Sequence, residues 1–156
     1  MESKMLVAVL SLMAATPAVA QSNMKSPCSG YTTPEADACA EQHLEAANAD
    51  LMRYTAAARK HAQAVASNNA NAGEAGALIY FDKSVAAWEA YRDAERTAVA
   101  SEYAGGTISG YEGTECAVRI TQLRTHTIWE EWLVALDGST NMAEPPLPKP
   151  IRVRPR

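Results

Sequence analysis

Apolar residues recur through the middle of the chain at helical spacing. Ala40, Leu44, Ala47, Leu51, Tyr54, Ala58 and Val65 follow one another at steps of three, four or seven. A helix with 3.6 residues per turn gathers such positions into one stripe. A start signal stands just before them: the Thr33 hydroxyl to cap, Pro34 at the first helical position and Glu35 in the first turn. The spacing predicts a first helix to about Ser67, interrupted by the polar run Asn68-Asn69-Ala70-Asn71-Ala72-Gly73. A second helix is expected from near Gly76, with Leu78, Phe81, Val85, Trp88 and either Tyr91 or Arg92 on its buried side. The paired Gly105-Gly106 ends that region, because glycine reaches the positive φ angles that a chain reversal often needs. A third helix is expected from about Glu112 to Leu136, with Cys116, Ile120, Leu123, Thr127 and Trp132 inward and Gly138 as C-terminal cap. No segment shows convincing strand alternation. The pattern is that of an all-α protein, an antiparallel bundle of three long helices.

The two ends of the chain read differently from the middle. Lys4, an apolar run from Met5 to Ala15, Pro17 and the small residues Ala18-Val19-Ala20 have the layout of a secretory signal peptide cleaved after Ala20. The apolar run is short of the roughly 20 residues that a bilayer-spanning helix needs. No cysteine follows Ala20 directly, so a lipid anchor lacks its attachment residue. The other end, Glu144-Pro-Pro-Leu-Pro-Lys-Pro-Ile-Arg-Val-Arg-Pro-Arg, carries five prolines. Proline blocks helix interiors and cannot donate to a sheet ladder, so residues 144–156 read as a disordered, extended tail. The expected organisation is therefore a signal peptide over 1–20, a helical domain over 21–143 and a basic Pro-rich tail over 144–156. The expected location is periplasmic or secreted, with no stable membrane span after processing.

Composition sharpens the picture. Alanine supplies 31 of 156 residues, against a single Phe. Such a chain suits helices packed closely through small side chains and disfavours a β-sandwich. The net charge of −4 argues against a nucleic-acid binder. The charge is unevenly placed: Gln21 to Ala143 has a net charge of −7, and Glu144 to Arg156 a net charge of +3 from Lys149, Arg152, Arg154 and Arg156. That tail would suit an anionic envelope polymer or acidic lipid head groups.

Exported proteins meet an oxidising compartment, where paired thiols persist as disulfides. Cys28 and Cys39 lie eleven positions apart, on either side of Thr33. A bond between them would tie an N-terminal arm onto the first helix and stabilise the fold by about 2–3 kcal/mol in the chain-entropy model. Cys116 is left over: a buried inert thiol, half of an intermolecular bond, or a cysteine whose partner has been lost. Its place on the apolar stripe of the third helix favours burial.

Taken together, Cys28, Cys39, the helix holding Ala47 to Tyr54, the block Trp88-Glu-Ala-Tyr91-Arg92-Asp93-Ala94-Glu95, Gly105-Gly106, Cys116 and Thr121-Gln-Leu-Arg124 resemble the lysozyme-inhibitor LprI-like N-terminal domain family of small exported bacterial helical proteins. The resemblance runs from about Cys28 to Trp132. It implies that Trp88, Tyr91, Arg92, Asp93, Gly105, Gly106, Cys116, Thr121 and Arg124 form a signature, structural or binding. Members usually carry a fourth cysteine after the Tyr-Arg-Asp-Ala-Glu block, paired with the one that Cys116 matches. This chain has Arg96 there, which accounts for its odd cysteine count.

The block also has a reading of its own. Trp88 and Arg92 are four apart on one helix face, where a guanidinium can lie over an indole. Asp93 and Arg92 are expected to point in different directions. Arg124 with Asp93, or Thr121 with Arg92, would then pair across the second and third helices, so that the set fixes how those helices pack.

Catalytic motifs are missing: there is no Gly-x-Ser-x-Gly elbow, no His-Glu-x-x-His, no Cys-x-x-Cys and no Gly-rich phosphate loop. His43, His61 and His126 are scattered. His126 with Glu130 offers only two ligands at a helix surface, so no metal and no cofactor is expected. The pairs Glu112 with Glu115 and Glu130 with Glu131 resemble a glycosidase couple only by chance placement in an acidic helical chain. The chain reads as no enzyme. What the resemblance implies is an exported binding protein that holds a cationic envelope-degrading enzyme such as lysozyme non-covalently. A negative helical body would steer such a partner towards it. The alternative is a structural or adaptor protein of the cell envelope without inhibitory activity, contacting polymer through its basic tail.

Overall fold

The computed structural model describes residues 28, 30–68 and 72–148. The expected signal peptide and the last eight residues of the tail lie outside the described residues. Three helices account for most of the rest: α1 over Thr33–Asn68, α2 over Ala72–Glu102 and α3 over Ser109–Trp132. Among the described residues there is no strand, and Val134 and Thr140 form an isolated antiparallel bridge. Among the described residues the fold is all-helical, with three helices, as the periodicity implies.

The start of α1 is capped one residue earlier than expected. Thr32, not Thr33, holds the cap position: its carbonyl accepts from the Ala36 N–H at 2.8 Å. Its own N–H and hydroxyl both donate to the Glu35 carboxylate, at 2.9 and 2.7 Å. The carboxylate thus satisfies an orphan donor at the helix start, half of a capping box. Those two bonds also hold the Glu35 carboxyl below its ordinary pKa. The side chains carry this geometry, and sequence order alone pointed to the wrong one of two adjacent threonines.

Along α1 the stripe read from the sequence is the buried one. Ala40, Leu44, Ala47, Tyr54 and Ala58 are buried and Leu51 is half-buried, with Ala62 extending the row. Among the residues of α2 whose burial is described, only Phe81 is fully buried. Leu78, Val85, Trp88 and Arg92 are half-exposed, and Tyr91 is 52% exposed. On α3 the expectation fails by a rotation of the helix. Cys116 is buried, but Leu123 is 45% exposed and Thr127 is also exposed. The inward face is Gly113, Thr114, Ala117, Val118, Thr121, Thr125 and Ile128. Its small and hydroxyl-bearing residues carry little hydrophobic signal, so the larger Leu123 drew the stripe round the helix, whereas Trp132 packs inward on Phe81 as expected. The third helix also ends at Trp132, not Leu136. Gly138, expected as its cap, takes its positive φ in a turn whose N–H reaches the Ala135 carbonyl at 2.8 Å.

Between helices, Glu41, Asn48 and Arg59 of α1 meet Arg96, Arg92 and Asp82 of α2, in rising order on one helix and falling order on the other. Ser84 and Arg96 of α2 meet Arg124 and Thr114 of α3, again in opposite orders. At Gly105 the backbone reverses with φ +87°, and the Gly106 N–H bonds the Tyr103 carbonyl at 2.9 Å.

The core divides into two clusters. Near the start of α1, Leu44 and Ala47 pack on Ala117 and Val118. Further along, Tyr54, Ala58, Phe81 and Ile128 form a larger-side-chain cluster, flanked by Val85, Trp129, Trp132 and Met142. Phe81 and Trp132 meet edge to face, centroids 4.7 Å apart. After α3 the chain runs back along the bundle. The Tyr54 hydroxyl donates to the Ala143 carbonyl at 2.7 Å, and the Trp129 indole to the Met142 carbonyl at 3.1 Å. Glu144 lies 3.3 Å from His126 and Pro145 is buried. The first residues of the Pro-rich segment are therefore in contact with the helices.

Candidate functional site

Charge is sorted along α1. From Thr33 to Met52 the helix carries Glu35, Asp37, Glu41, Glu45 and Asp50 with no Lys or Arg, and from Arg53 to Asn68 it carries Arg53, Arg59 and Lys60 with no acid. The acidic half lies beside the start of α3, where Glu112 and Glu115 follow in the first turns, and beside the end of α2 with Glu95 and Glu102. Arg92, Arg96 and Arg119 oppose this charge in part, and each is engaged. Arg96 bonds Glu41 at 2.7 Å and the Thr114 hydroxyl at 3.1 Å, and Thr114 itself donates to Glu41 at 3.0 Å. Arg119 reaches the Cys116 sulfur at 3.6 Å. The exposed carboxylates Glu35, Glu45 and Glu102 face solvent at this end.

Beneath them the acids are less free. The Glu115 carboxyl is pushed above its ordinary pKa chiefly by burial, against the pull of nearby His43. One oxygen each of Asp37 and Glu115 is buried with no hydrogen-bond partner among the described residues. Cys28 and Cys39 stand at disulfide distance, Cα atoms 5.8 Å apart, and clasp the segment before α1 to its second turn. The His43 Nδ1 lies 3.7 Å from the Cys28 sulfur. These three residues gather closely enough to suggest a metal, yet two sulfurs bonded to each other offer no thiolate. Cys116 is free and buried. Burial pushes its thiol up, with Arg119 acting the other way, so it has the character of an inert core thiol.

The residues singled out in the sequence fall on two different features. Arg92 lies over the Trp88 ring, 5.2 Å from its centroid, as the spacing suggested. The other pairings differ. Arg92 bonds its neighbour Asp93 at 2.9 Å and Asn48 of α1 at 3.3 Å, rather than Thr121. Arg124 donates to the Ser84 hydroxyl at 2.9 Å, rather than to Asp93. The Thr121 hydroxyl is buried without a hydrogen-bond partner among the described residues. Arg92 therefore joins α2 to α1, a contact that sequence reasoning missed because it considered only α3 as the partner. Tyr91 and Asp93 are exposed, and Gly105 and Gly106 form the turn.

Trp88 and Arg124 come together elsewhere, in an open groove of about 360 Å³. Leu51 and Met52 of α1, Val85 and Trp88 of α2 and Ile128 of α3 supply apolar walls, with Arg59, Lys60, Glu89 and Arg124 as the charged members. Burial holds Arg124 below its ordinary pKa. Sequence reading gave no hint of this groove, since its walls come from three separate helices.

The fold and these features define a small helical protein with a disulfide-clasped N-terminal segment and an acidic face. Residues 24–128 match the family described as Lysozyme inhibitor LprI, and the chain belongs to that family. No curated protein and no solved structure matches it. Membership implies a lysozyme-inhibitor-like function, so binding of a lysozyme-like partner rather than catalysis. No described helix is long and apolar enough to cross a membrane.

Proposed function

We propose that this protein is an exported inhibitor that binds a cationic envelope-degrading enzyme of lysozyme type non-covalently, through its acidic end. The observation that carries this reading is the sorting of charge: five acids and no Lys or Arg in the first half of α1, beside the acidic start of α3. A concentrated field of one sign draws in a partner of the opposite sign and sets its orientation on approach. The reading includes cleavage after Ala20, the antiparallel order of the helices that the interhelical pairs support, and a helical domain over 21–143 ahead of the basic tail. In it, Trp88, Arg92, Asp93 and Arg124 are packing residues that hold the acidic surface in shape.

The test reverses exposed charge without touching the core. The double variant Glu45→Lys with Glu102→Lys should keep the helical circular-dichroism spectrum and lose most of its inhibition of a cationic lysozyme. Wild-type inhibition should also weaken as salt is raised from 50 to 300 mM, since screening acts on exposed charges. Inhibition indifferent to both changes would place the contact elsewhere.

A second reading, an envelope adaptor without inhibitory activity, draws on the contacts that anchor residues 142–145 to the bundle and so fix where the basic segment leaves it. Removing residues 149–156 separates the two readings. An inhibitor keeps its activity, whereas an adaptor loses association with anionic envelope polymer.

A further inference from the structure

The groove between α1 and α2 has a chemistry opposite to that of the acidic end. Its walls are apolar, and Met52 on its rim is 73% exposed. On its floor lies the half-buried Arg124 guanidinium, whose hydrogen bond goes to a neutral hydroxyl, Ser84. Among the described residues no carboxylate pairs with Arg124. Arg59 is paired with Asp82 at 2.6 Å across the groove's edge, while Lys60 beside it has no such partner among the described residues. Glu89 is the one acid in the lining. A partly desolvated cation without a counter-charge, set among apolar walls, is an incomplete arrangement. An anion attached to an apolar body would complete it.

The chain's own tail is unsuited to this role. Residues 149–156 carry four bases and no acid. A groove of this size is at the lower end of small-molecule sites, where a few placed polar groups orient a mostly apolar ligand.

We propose that this groove binds single-chain amphipathic carboxylates, with the head group on Arg124 and Lys60 and the alkyl chain along Leu51, Met52, Val85, Trp88 and Ile128. This activity is independent of the inhibitor reading, because its head-group contacts are Lys60 in the basic half of α1 and Arg124 of α3, whereas the inhibitor reading uses the exposed carboxylates of the acidic half. The carboxylate forms a charge-assisted bond with Arg124, and the chain gains from leaving water. Trp88 forms one wall, so its fluorescence reports occupancy.

The probe is dodecanoate below its micelle concentration, titrated into the full mature chain by calorimetry and Trp fluorescence. 1-Dodecanol and dodecyltrimethylammonium serve as neutral and cationic controls. Dodecanoate should bind at least tenfold more tightly than dodecanol, and the cation more weakly still. Shortening the acid should weaken binding by up to about fourfold per methylene. Arg124→Gln should reduce dodecanoate affinity to the dodecanol level and leave dodecanol binding unchanged. Lys60→Gln, at an exposed position, should show the same trend more weakly and guards against a folding defect in the first variant. Ala56→Trp should fill the groove and abolish binding of all three probes.

Equal affinity for acid and alcohol, or full dodecanoate binding by both charge variants, overturns the proposal. So does concentration-dependent dimerisation in sedimentation that Ala56→Trp removes, which would make the groove a contact between two copies. Lysozyme inhibition by Lys60→Gln and Ala56→Trp, neither of which the inhibitor reading uses, should remain at the wild-type level, so failure of either reading is seen separately.

Discussion

At the end where α1 and α3 begin, the helices meet through small side chains, whereas further along they are held apart by rings. The first region packs Leu44 and Ala47 on Ala117 and Val118 and brings Gly113 against α2 so closely that a Cβ there would stand 3.0 Å from the Arg96 carbonyl and the Ala100 side chain. The second region interleaves Phe81, Tyr54, Trp129 and Trp132. Close approach leaves no room for a groove, and the surface there is a dense layer of charge clasped by the Cys28–Cys39 pair. Where the rings pack, an open groove lies beside α1 and α2, which Trp88 and Arg124 line. One bundle thereby presents an acidic face and an apolar groove with basic members, to which the two proposals assign a cationic protein and a small anion. Side-chain size, more than helix length, separates the two.

That contrast can be broken most strongly at Phe81. The ring is 1% exposed at the centre of the aromatic cluster, and Phe81→Ala should cost about 3–5 kcal/mol by thermal or denaturant melting. A cost below about 1 kcal/mol would mean that the rings do not hold this half together. Next comes the clasp. Reducing the Cys28–Cys39 pair should lower stability by about 2–3 kcal/mol, read as a drop in melting temperature on adding reductant. The drop should be absent from a Cys28→Ser, Cys39→Ser double variant.

Gly113→Ala tests close approach directly. Neither the Arg96 carbonyl nor the Ala100 side chain is the far end of a flexible chain, so the helices must shift. A loss of about 1–3 kcal/mol is expected even though alanine is the better helix former. A gain in stability would show that α2 and α3 have slack there.

The smallest effect concerns Glu115. Its folded pKa lies above the ordinary 4.5, so between those values the unfolded chain ionises first and the native state loses ground. Wild type and Glu115→Gln should have equal stability below about pH 4, and the variant should become the more stable as pH rises past 4.5. Parallel stability curves over pH 3 to 7 would show that burial does not penalise this carboxylate.

How far the fold could be read from sequence differs between the helices for a physical reason. On α1 the buried positions are occupied by Leu, Tyr and regularly spaced Ala, so period and burial agree, and the signal at Thr33, Pro34 and Glu35 marks the start to within a residue. On α3 the buried face is largely Gly, Thr and Ala, while Leu123 sits outside. Hydropathy cannot find a face whose merit is that it is thin. The stacking of Arg92 on Trp88 was legible because it lies within one helix. The bonds of Arg92 to Asn48 and of Arg124 to Ser84 were not, because each depends on the rotation of two helices about their axes.

The sequence by itself determined that the chain is helical, the order of its three helices and their bounds to within about four residues, which cysteines are spaced to pair, and which family signature it carries. Those properties depend on local spacing and on residue types that act within a few turns. Only the tertiary structure decided which face of α3 is inward, that the acids of α1 lie beside those of α3, and that Trp88 and Arg124 share a groove. Such relations join positions dozens of residues apart, and they are set by how closely small or bulky side chains allow the helices to approach.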